Sequence, residues 1–221
     1  MMRTIAFATQ KGGSGKSTLA IGIAVAAIEA GESVFMLEAD RQGTVSNWGA
    51  RRSNPQPGID RIAGGVALER ALKLLAGERY SLVIIDTPGT DNVSGTAAIR
   101  VADLCLIPAR PSPADIEAAH PTLHAARRLG KNFAFVLNQT PARSFRLSEA
   151  AQALNSMGVL ALPYIVQRMD HQDALGTGLG VSEFNPEGKA AEEIRALWTW
   201  IKAKLDSGAG AYDQDPIAAA G

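Results

Sequence analysis

The sequence predicts an α/β protein in which a doubly wound, mostly parallel sheet is flanked by helices. Short apolar runs rich in β-branched residues alternate along the chain with Ala- and Leu-rich segments of helical periodicity. Several of these runs are too uniformly apolar to alternate, as is typical of strands that are buried on both faces. Right-handed crossovers between such strands place the loops that follow them at one edge of the sheet, where ligands bind.

Six segments have the pattern of strands and six have that of helices. We predict the strands at 4–9, 33–39, 80–86, 103–109, 131–138 and 159–163. We predict the helices at 16–30, 65–76, 94–102, 114–129, 145–157 and 188–205. A polar cluster follows each of the first five strands, so we expect five clusters to converge on one edge of the sheet.

Length and composition favour a single domain. The chain has 221 residues and a formal net charge of zero, so its overall charge does not indicate a nucleic-acid or membrane partner. We expect one domain over residues 1–206 and a disordered Gly/Ala-rich tail over 207–221. A start without a cleavable signal pattern and a single cysteine, Cys105, predict a cytoplasmic protein without disulfides.

A glycine-rich segment, QKGGSGKST, joins the first predicted strand to the first predicted helix. Its glycines let successive backbone N–H groups approach an anion, and the helix directs the positive end of its dipole to the same point. Lys16 adds charge for phosphate oxygens, the Ser17 hydroxyl can ligate Mg²⁺, and Thr18 is placed to reach the α-phosphate side. The usual G-x-x-x-x-G-K-[ST] pattern is broken by Gln10 in place of glycine and by a second lysine, Lys11.

Three carboxylates follow the second and third predicted strands. Strand alternation directs Glu38 and Asp40 to the same side, where either could orient a water molecule or hold hydrated Mg²⁺ near a triphosphate. Helix capping or a salt bridge is the alternative for each of these two acids. Asp86 closes the apolar run LVIID and predicts an Mg²⁺ site that acts through water. The turn Thr87-Pro88-Gly89 follows it and could sense a γ-phosphate.

Several segments resemble the ParA/MinD family of deviant Walker A ATPases, and most of all its short ParA-type partition members. They are KGGSGKST, EADRQG, LVIIDTPG, LIPARPSPADIEA, FVLNQTPARS and VSEFNPEGKAAEEI. The resemblance implies a P-loop NTPase fold, ATP and Mg²⁺ as ligands, and a weak, partner-stimulated ATPase activity in the domain predicted over 1–206.

The resemblance also implies roles for individual residues. Lys11, Lys16 and Asp40 match catalytic positions: Lys11 reaches across an ATP-sandwich homodimer to the partner's phosphates, and Asp40 positions the hydrolytic water. Asn138 matches the position that recognises adenine. Ser17 and Asp86 match the Mg²⁺ positions. The implied nucleotide-binding set is Lys11, Gly12, Gly13, Ser14, Gly15, Lys16, Ser17, Thr18 and Asn138.

The second strand departs from the family pattern D-x-D-P-Q in two places. Glu38 replaces an aspartate, which moves the carboxylate about one methylene further out, and Arg41 replaces the proline. Asp40 is retained. The resemblance therefore does not define the role of Glu38 near the nucleotide.

The implied function is an ATP-bound dimer that binds DNA without sequence preference and positions a cargo, which is a plasmid, a chromosome or a protein complex. An adaptor protein on the cargo stimulates hydrolysis, and the ATP-bound form is associated with the nucleoid. The candidate DNA contacts are Arg143, Arg146, Arg168 and Lys189. For Arg168 and Lys189 the alternative is pairing with nearby acids.

Two other functions stay open. The first is a MinD-like ATPase that cycles on membranes, against which the tail argues because it has no basic amphipathic face. The second is an ATP-binding regulatory scaffold without turnover, for which the departures at Glu38 and Arg41 are the support.

Overall fold

The computed structural model describes residues 1–89, 92–142 and 145–207. Its described part contains one sheet of six strands in the order β3-β2-β4-β1-β5-β6. All five strand pairs are parallel, which confirms the predicted doubly wound architecture. The strands are β1 (Arg3–Phe7), β2 (Val34–Glu38), β3 (Gly58–Arg61), β4 (Leu82–Asp86), β5 (Leu104–Ala109) and β6 (Phe133–Leu137).

Helices cover both faces of this sheet. They are α1 (Lys16–Glu29), α2 (Thr44–Ala50), α3 (Gly65–Leu75), α4 (Asn92–Val101), α5 (Pro113–Arg128), α6 (Phe145–Met157), α7 (Asp170–Thr177), α8 (Val181–Phe184) and α9 (Lys189–Ser207). The helix α1 is buried along most of its length, against the sheet on one side and α9 on the other. Its many small residues permit this close packing, as at Gly22, where an added Cβ would come within 3.3 Å of Ile194.

The predicted elements agree with most of the fold, with one correction and four omissions. Residues 159–163 do not form a strand; Leu160 makes only an isolated parallel bridge to Phe135. Pro163 has no N–H to donate, so a ladder cannot continue through it. The elements absent from the prediction are β3, α2, α7 and α8, which are short. β3 is also an edge strand with two exposed residues, so it lacks the apolar run that marks the other strands.

Beyond Ser207, where α9 ends, the chain lies outside the described residues. Most of the tail predicted over 207–221 therefore falls there. The domain boundary at about residue 206 stays a prediction.

Candidate nucleotide-binding site

The predicted phosphate loop connects β1 to α1 at the carboxyl edge of the sheet. Gly13 and Gly15 have positive φ angles of 75° and 86°, which glycine adopts without strain. The carbonyl oxygen of Lys11 accepts hydrogen bonds from Lys16 Nζ at 3.3 Å and from Ser14 Oγ at 3.2 Å. The loop therefore folds around this carbonyl, and Lys16 is buried at the start of α1. Gly12 is exposed on the outer side of the loop.

The end of β6 supports the phosphate loop from behind. Asn138 Nδ2 donates to the carbonyl oxygen of Ser14 at 2.8 Å, and Gln139 Nε2 donates to that of Gly13 at 3.0 Å. Gln139 has a positive φ of 52°, which turns its amide toward the loop. The adenine-recognising role of Asn138 stays a prediction; its contact here is with the loop. Gln139 was not singled out from the sequence, although it follows Asn138 at the end of a buried strand.

A hydroxyl and a carboxylate form the predicted magnesium pair beside the loop. Ser17, in the first turn of α1 with Thr18, donates its hydroxyl to Asp86 Oδ2 at 2.6 Å. Asp86 is 1% exposed at the end of β4, and its Oδ1 has no hydrogen-bond partner. Burial raises the pKa of Asp86 to about 7, against the opposing effects of the Ser17 hydrogen bond and the Lys16 charge.

These groups fit a magnesium ion. Mg²⁺ binds hard oxygen ligands through one or two carboxylates and keeps several waters. The orphaned Oδ1 of Asp86 is a buried acceptor that such an ion or its water would satisfy, and the Ser17 hydroxyl is a second oxygen next to it. Burial also lowers the pKa of Lys16, opposed by the charges of Asp86 and Asp40, so this cation lies in the same low-dielectric region as the Asp86 carboxylate.

Asp40 lies in the turn between β2 and α2. Its Oδ1 accepts from the N–H of Gln42 at 2.9 Å, and its carbonyl oxygen accepts from the N–H of Gly43 at 3.2 Å. The side chain is half-buried, and its charge acts on the pKa values of Asp86 and Lys16. The structure thus brings Asp40 to the same edge of the sheet as Lys16 and Asp86, as the sequence predicts.

Glu38 caps helix α2, as one of the two interpretations of this residue predicts. It is 1% exposed, and its two carboxylate oxygens accept from the N–H groups of Val45 at 2.7 Å and Ser46 at 3.1 Å. The Ser46 hydroxyl donates to it as well. A carboxylate at this position satisfies orphan N–H groups and complements the dipole of α2. A role for Glu38 in holding water or hydrated Mg²⁺ stays a prediction, and both of its oxygens already have donors.

The turn after β4 contacts the phosphate loop directly. Thr87 Oγ1 donates to the carbonyl oxygen of Phe7 at 2.8 Å, which ties β4 to the end of β1. A Cβ added to Gly89 would come within 3.1 Å of Gly12 Cα and 3.2 Å of Lys16 Nζ. The turn therefore lies against the phosphate loop, and its response to a bound γ-phosphate stays a prediction.

Lys11 lies near an ion pair that the sequence analysis did not identify. Arg110 Nε donates to Asp115 Oδ1 at 2.9 Å, and the Ser112 hydroxyl donates to Asp115 Oδ2 at 2.6 Å. Burial would raise the pKa of Asp115, but hydrogen bonds from Arg110 and Ser112 and the charge of Lys11 lower it overall. The sequence contains a signal for the contact between Ser112 and Asp115, because S-x-x-D before a helix is a capping pattern.

The four predicted DNA contacts differ in what the structure shows of them. The NH2 group of Arg168 donates to Glu193 Oε1 at 2.6 Å, so Arg168 forms the ion pair that was the alternative to a DNA contact. Lys189 is exposed at the start of α9, and no salt bridge to it is found in the described part of the chain. Arg143 and the side chain of Arg146 lie outside the described residues.

A loop of this construction after the central strand of a parallel sheet defines a P-loop nucleotide-binding protein. A family model described as the CobQ/CobB/MinD/ParA nucleotide binding domain matches residues 5–180. The chain belongs to this family, a family of nucleotide-binding ATPases, which confirms the resemblance found in the sequence.

Relatives of known type cover nearly the whole chain. It is 32% identical over 212 residues to the maintenance of carboxysome distribution protein A of Gloeobacter kilaueensis, covering 92% of this chain and 94% of that protein. A solved ATP complex of a McdA variant from Cyanothece has a TM-score of 0.75 at 19% identity, over 93% of this chain and 96% of that one.

The septum site-determining protein MinD of Pyrococcus horikoshii, solved with Mg-ADP, has a TM-score of 0.72 at 17% identity, over 91% of this chain and 96% of that one. The two solved structures show the shared fold. Among the residues that the structure describes, no helix combines the length and apolar character needed to cross a membrane.

Proposed function

We propose that the chain is an ATP-hydrolysing switch whose ATP-bound form is a homodimer that binds DNA and positions a cargo. The Ser17–Asp86 pair carries this proposal, because it sets a buried carboxylate with an unpartnered oxygen beside a phosphate-binding loop. Such a pair suits a nucleoside triphosphate with its magnesium ion. Family membership and a relative named for carboxysome distribution support a positioning role.

The chemistry proposed is in-line attack of water on the γ-phosphate. The loop N–H groups and Lys16 hold the phosphates and stabilise the charge that develops on them. Asp40 orients the attacking water from the turn after β2. Magnesium, when bound at Ser17 and Asp86, supplies further neutralisation of the phosphate oxygens. Lys11 contributes its charge to the nucleotide of the partner protomer.

A DNA-bound state follows from the proposed dimer. Phosphate contacts are independent of sequence and salt-sensitive, and a dimer doubles every basic group on its surface. Lys189 is exposed and has no salt bridge within the part of the chain that the structure describes, whereas Arg168 would have to leave Glu193. We place the protein in the cytoplasm, on the nucleoid when ATP is bound. We propose a protein body as cargo, with an adaptor protein on it that stimulates hydrolysis, by analogy with the carboxysome relative.

Phosphate release with and without DNA tests the enzymatic part. We expect slow Mg²⁺-dependent hydrolysis by the native protein, none by Lys16→Ala because it binds ATP poorly, and none by Asp40→Ala although it still binds ATP. Arg70→Ala, an exposed change on α3, serves as the control. Hydrolysis by Asp40→Ala at the native rate would contradict the assignment of Asp40, and absence of turnover in the native protein would favour a scaffold.

Co-sedimentation separates DNA from membranes. The Asp40→Ala protein, held in its ATP state, is mixed with plain DNA or with anionic liposomes in ATP or ADP. We expect ATP-dependent pelleting with DNA that weakens with salt. Lipid binding without DNA binding would instead indicate a membrane-cycling ATPase.

The dimer is tested through Lys11. Lys11→Ala should still bind ATP, because Lys16 and the loop N–H groups remain, but it should stay monomeric in ATP. Size-exclusion chromatography with light scattering measures this. An ATP-dependent Lys11→Ala dimer with native hydrolysis would rule out the intermolecular role.

A further inference from the structure

The turn that carries Asp40 is contacted by Arg61, a residue of the next strand in the sequence, β3. Arg61, the last residue of β3, lies directly opposite Glu38 in the parallel register. Its NH2 donates to the carbonyl oxygen of Arg41 at 2.9 Å, and its Nε lies 3.8 Å from Glu38 Oε2. The same guanidinium packs on Gly43, where an added Cβ would come within 3.6 Å of Arg61 Cζ.

The residues of this turn restrain its backbone only weakly. The hydrogen bond from the Gly43 N–H to the Asp40 carbonyl oxygen closes a four-residue turn, with Arg41 at its second position. Proline is favoured at that position because its ring presets φ. The chain has arginine there and a glycine with φ of 71° at the fourth position, so the backbone of the turn retains much freedom.

Arg61 reduces that freedom at three points. It holds the Arg41 carbonyl in the middle of the turn, covers Gly43 at its end, and places a positive charge next to the buried carboxylate of Glu38. Glu38 in turn holds the first N–H groups of α2. Because Asp40 Oδ1 accepts from the Gln42 N–H inside the same turn, the direction of the Asp40 side chain depends on the shape of the turn.

We propose that Arg61 is a positioning residue for Asp40. Its guanidinium supplies the restraint on the turn that a proline would supply at position 41. This inference rests on the proposed role of Asp40 in hydrolysis. Arg61 acts on the turn and not on the nucleotide, so it sets the rate of hydrolysis and leaves ATP affinity to the phosphate loop. Its side chain is 55% exposed, so removing it leaves the core intact.

The first test compares ATP affinity with single-turnover hydrolysis. Arg61→Ala should lower the hydrolysis rate by about 3- to 10-fold, the effect of losing one charged hydrogen bond in part exposed to water, with ATP affinity unchanged within about twofold. Arg61→Lys keeps the charge and should fall between. The control Arg70→Ala removes an exposed arginine from α3 and should behave as the native protein.

A suppressor variant makes the test specific. In the described residues, no group accepts a hydrogen bond from the Arg41 N–H, so proline removes no bond there. Arg41→Pro combined with Arg61→Ala should therefore recover most of the lost rate, because the proline restrains the turn itself. A double variant as slow as Arg61→Ala would overturn the proposal, as would a native rate in Arg61→Ala.

Hydrogen exchange supplies a readout that does not depend on turnover. The N–H groups of Gln42 and Gly43 both donate to Asp40 and should exchange about 3- to 10-fold faster in Arg61→Ala than in the native protein. Unchanged exchange at both would overturn the restraint by Arg61. If the native protein hydrolyses no ATP, the proposed function fails, and exchange at these two amides still decides whether Arg61 holds the turn.

Discussion

Replacing Asp86 with asparagine should stabilise the nucleotide-free protein while weakening its use of magnesium. The carboxylate is 1% exposed, and burial raises its pKa from 3.8 to about 7. The folded protein therefore holds a proton that the unfolded chain has released between about pH 4 and pH 7. Over that interval the free energy of unfolding falls as pH rises. The decrease is complete once the pH is above the pKa of Asp86 in the folded protein.

The size of this effect follows from the shift. A change of about three pKa units corresponds to about 4 kcal/mol of cost for the ionised carboxylate in the fold. Asparagine carries no charge at any of these pH values and keeps an oxygen for the Ser17 hydroxyl. We therefore expect Asp86→Asn to raise the free energy of unfolding by about 2–4 kcal/mol near pH 8, and by much less near pH 5.

Urea denaturation in the absence of metal and nucleotide, at several pH values, measures the difference between native and variant proteins. Comparing the two cancels the titration of groups that do not interact with residue 86. The same variant should lose the Mg²⁺-dependent part of ATP affinity, measured by calorimetry with and without magnesium, because an amide binds the ion less well than a carboxylate. A variant that is no more stable at pH 8, or a stability difference that does not grow with pH, would show that the buried carboxylate does not destabilise the fold.

Three further changes test the phosphate loop and two ion pairs elsewhere in the fold. Gly15→Ala should weaken ATP binding at least about tenfold, because φ is 86° and the new Cβ would lie 2.3 Å from Asn138 Nδ2; a nucleotide titration measures it. Arg52→Ala should lower the free energy of unfolding by about 3 kcal/mol, since the side chain of Arg52 is 2% exposed and pairs with Glu183 at 2.7 Å. Lys202→Ala breaks an exposed pair and should cost under about 1 kcal/mol in the same urea titration.

The arrangement of the candidate phosphate site was predictable because its signals are local. The loop residues are contiguous, and Asp86 ends an apolar strand, so register and the carboxyl-edge rule suffice to bring Ser17 and Asp86 together. Glu38 was harder, since the sequence allowed either a role near the phosphates or a helix cap. The structure shows that Glu38 caps α2, which begins six residues after it. The sequence did not reveal this helix because its seven residues are too few for a clear hydrophobic periodicity.

The class of fold, the glycine-rich loop and the carboxylates at the strand ends could all be predicted from the sequence, since each depends on a run of neighbouring residues. The side chains that support that loop are known only from the folded protein. Asn138 reaches Ser14 across 124 positions because β6 and β1 end at the same edge, and Arg61 reaches Arg41 because β3 pairs with β2. Such contacts depend on strand order and register, which the chain acquires only when distant segments pack together.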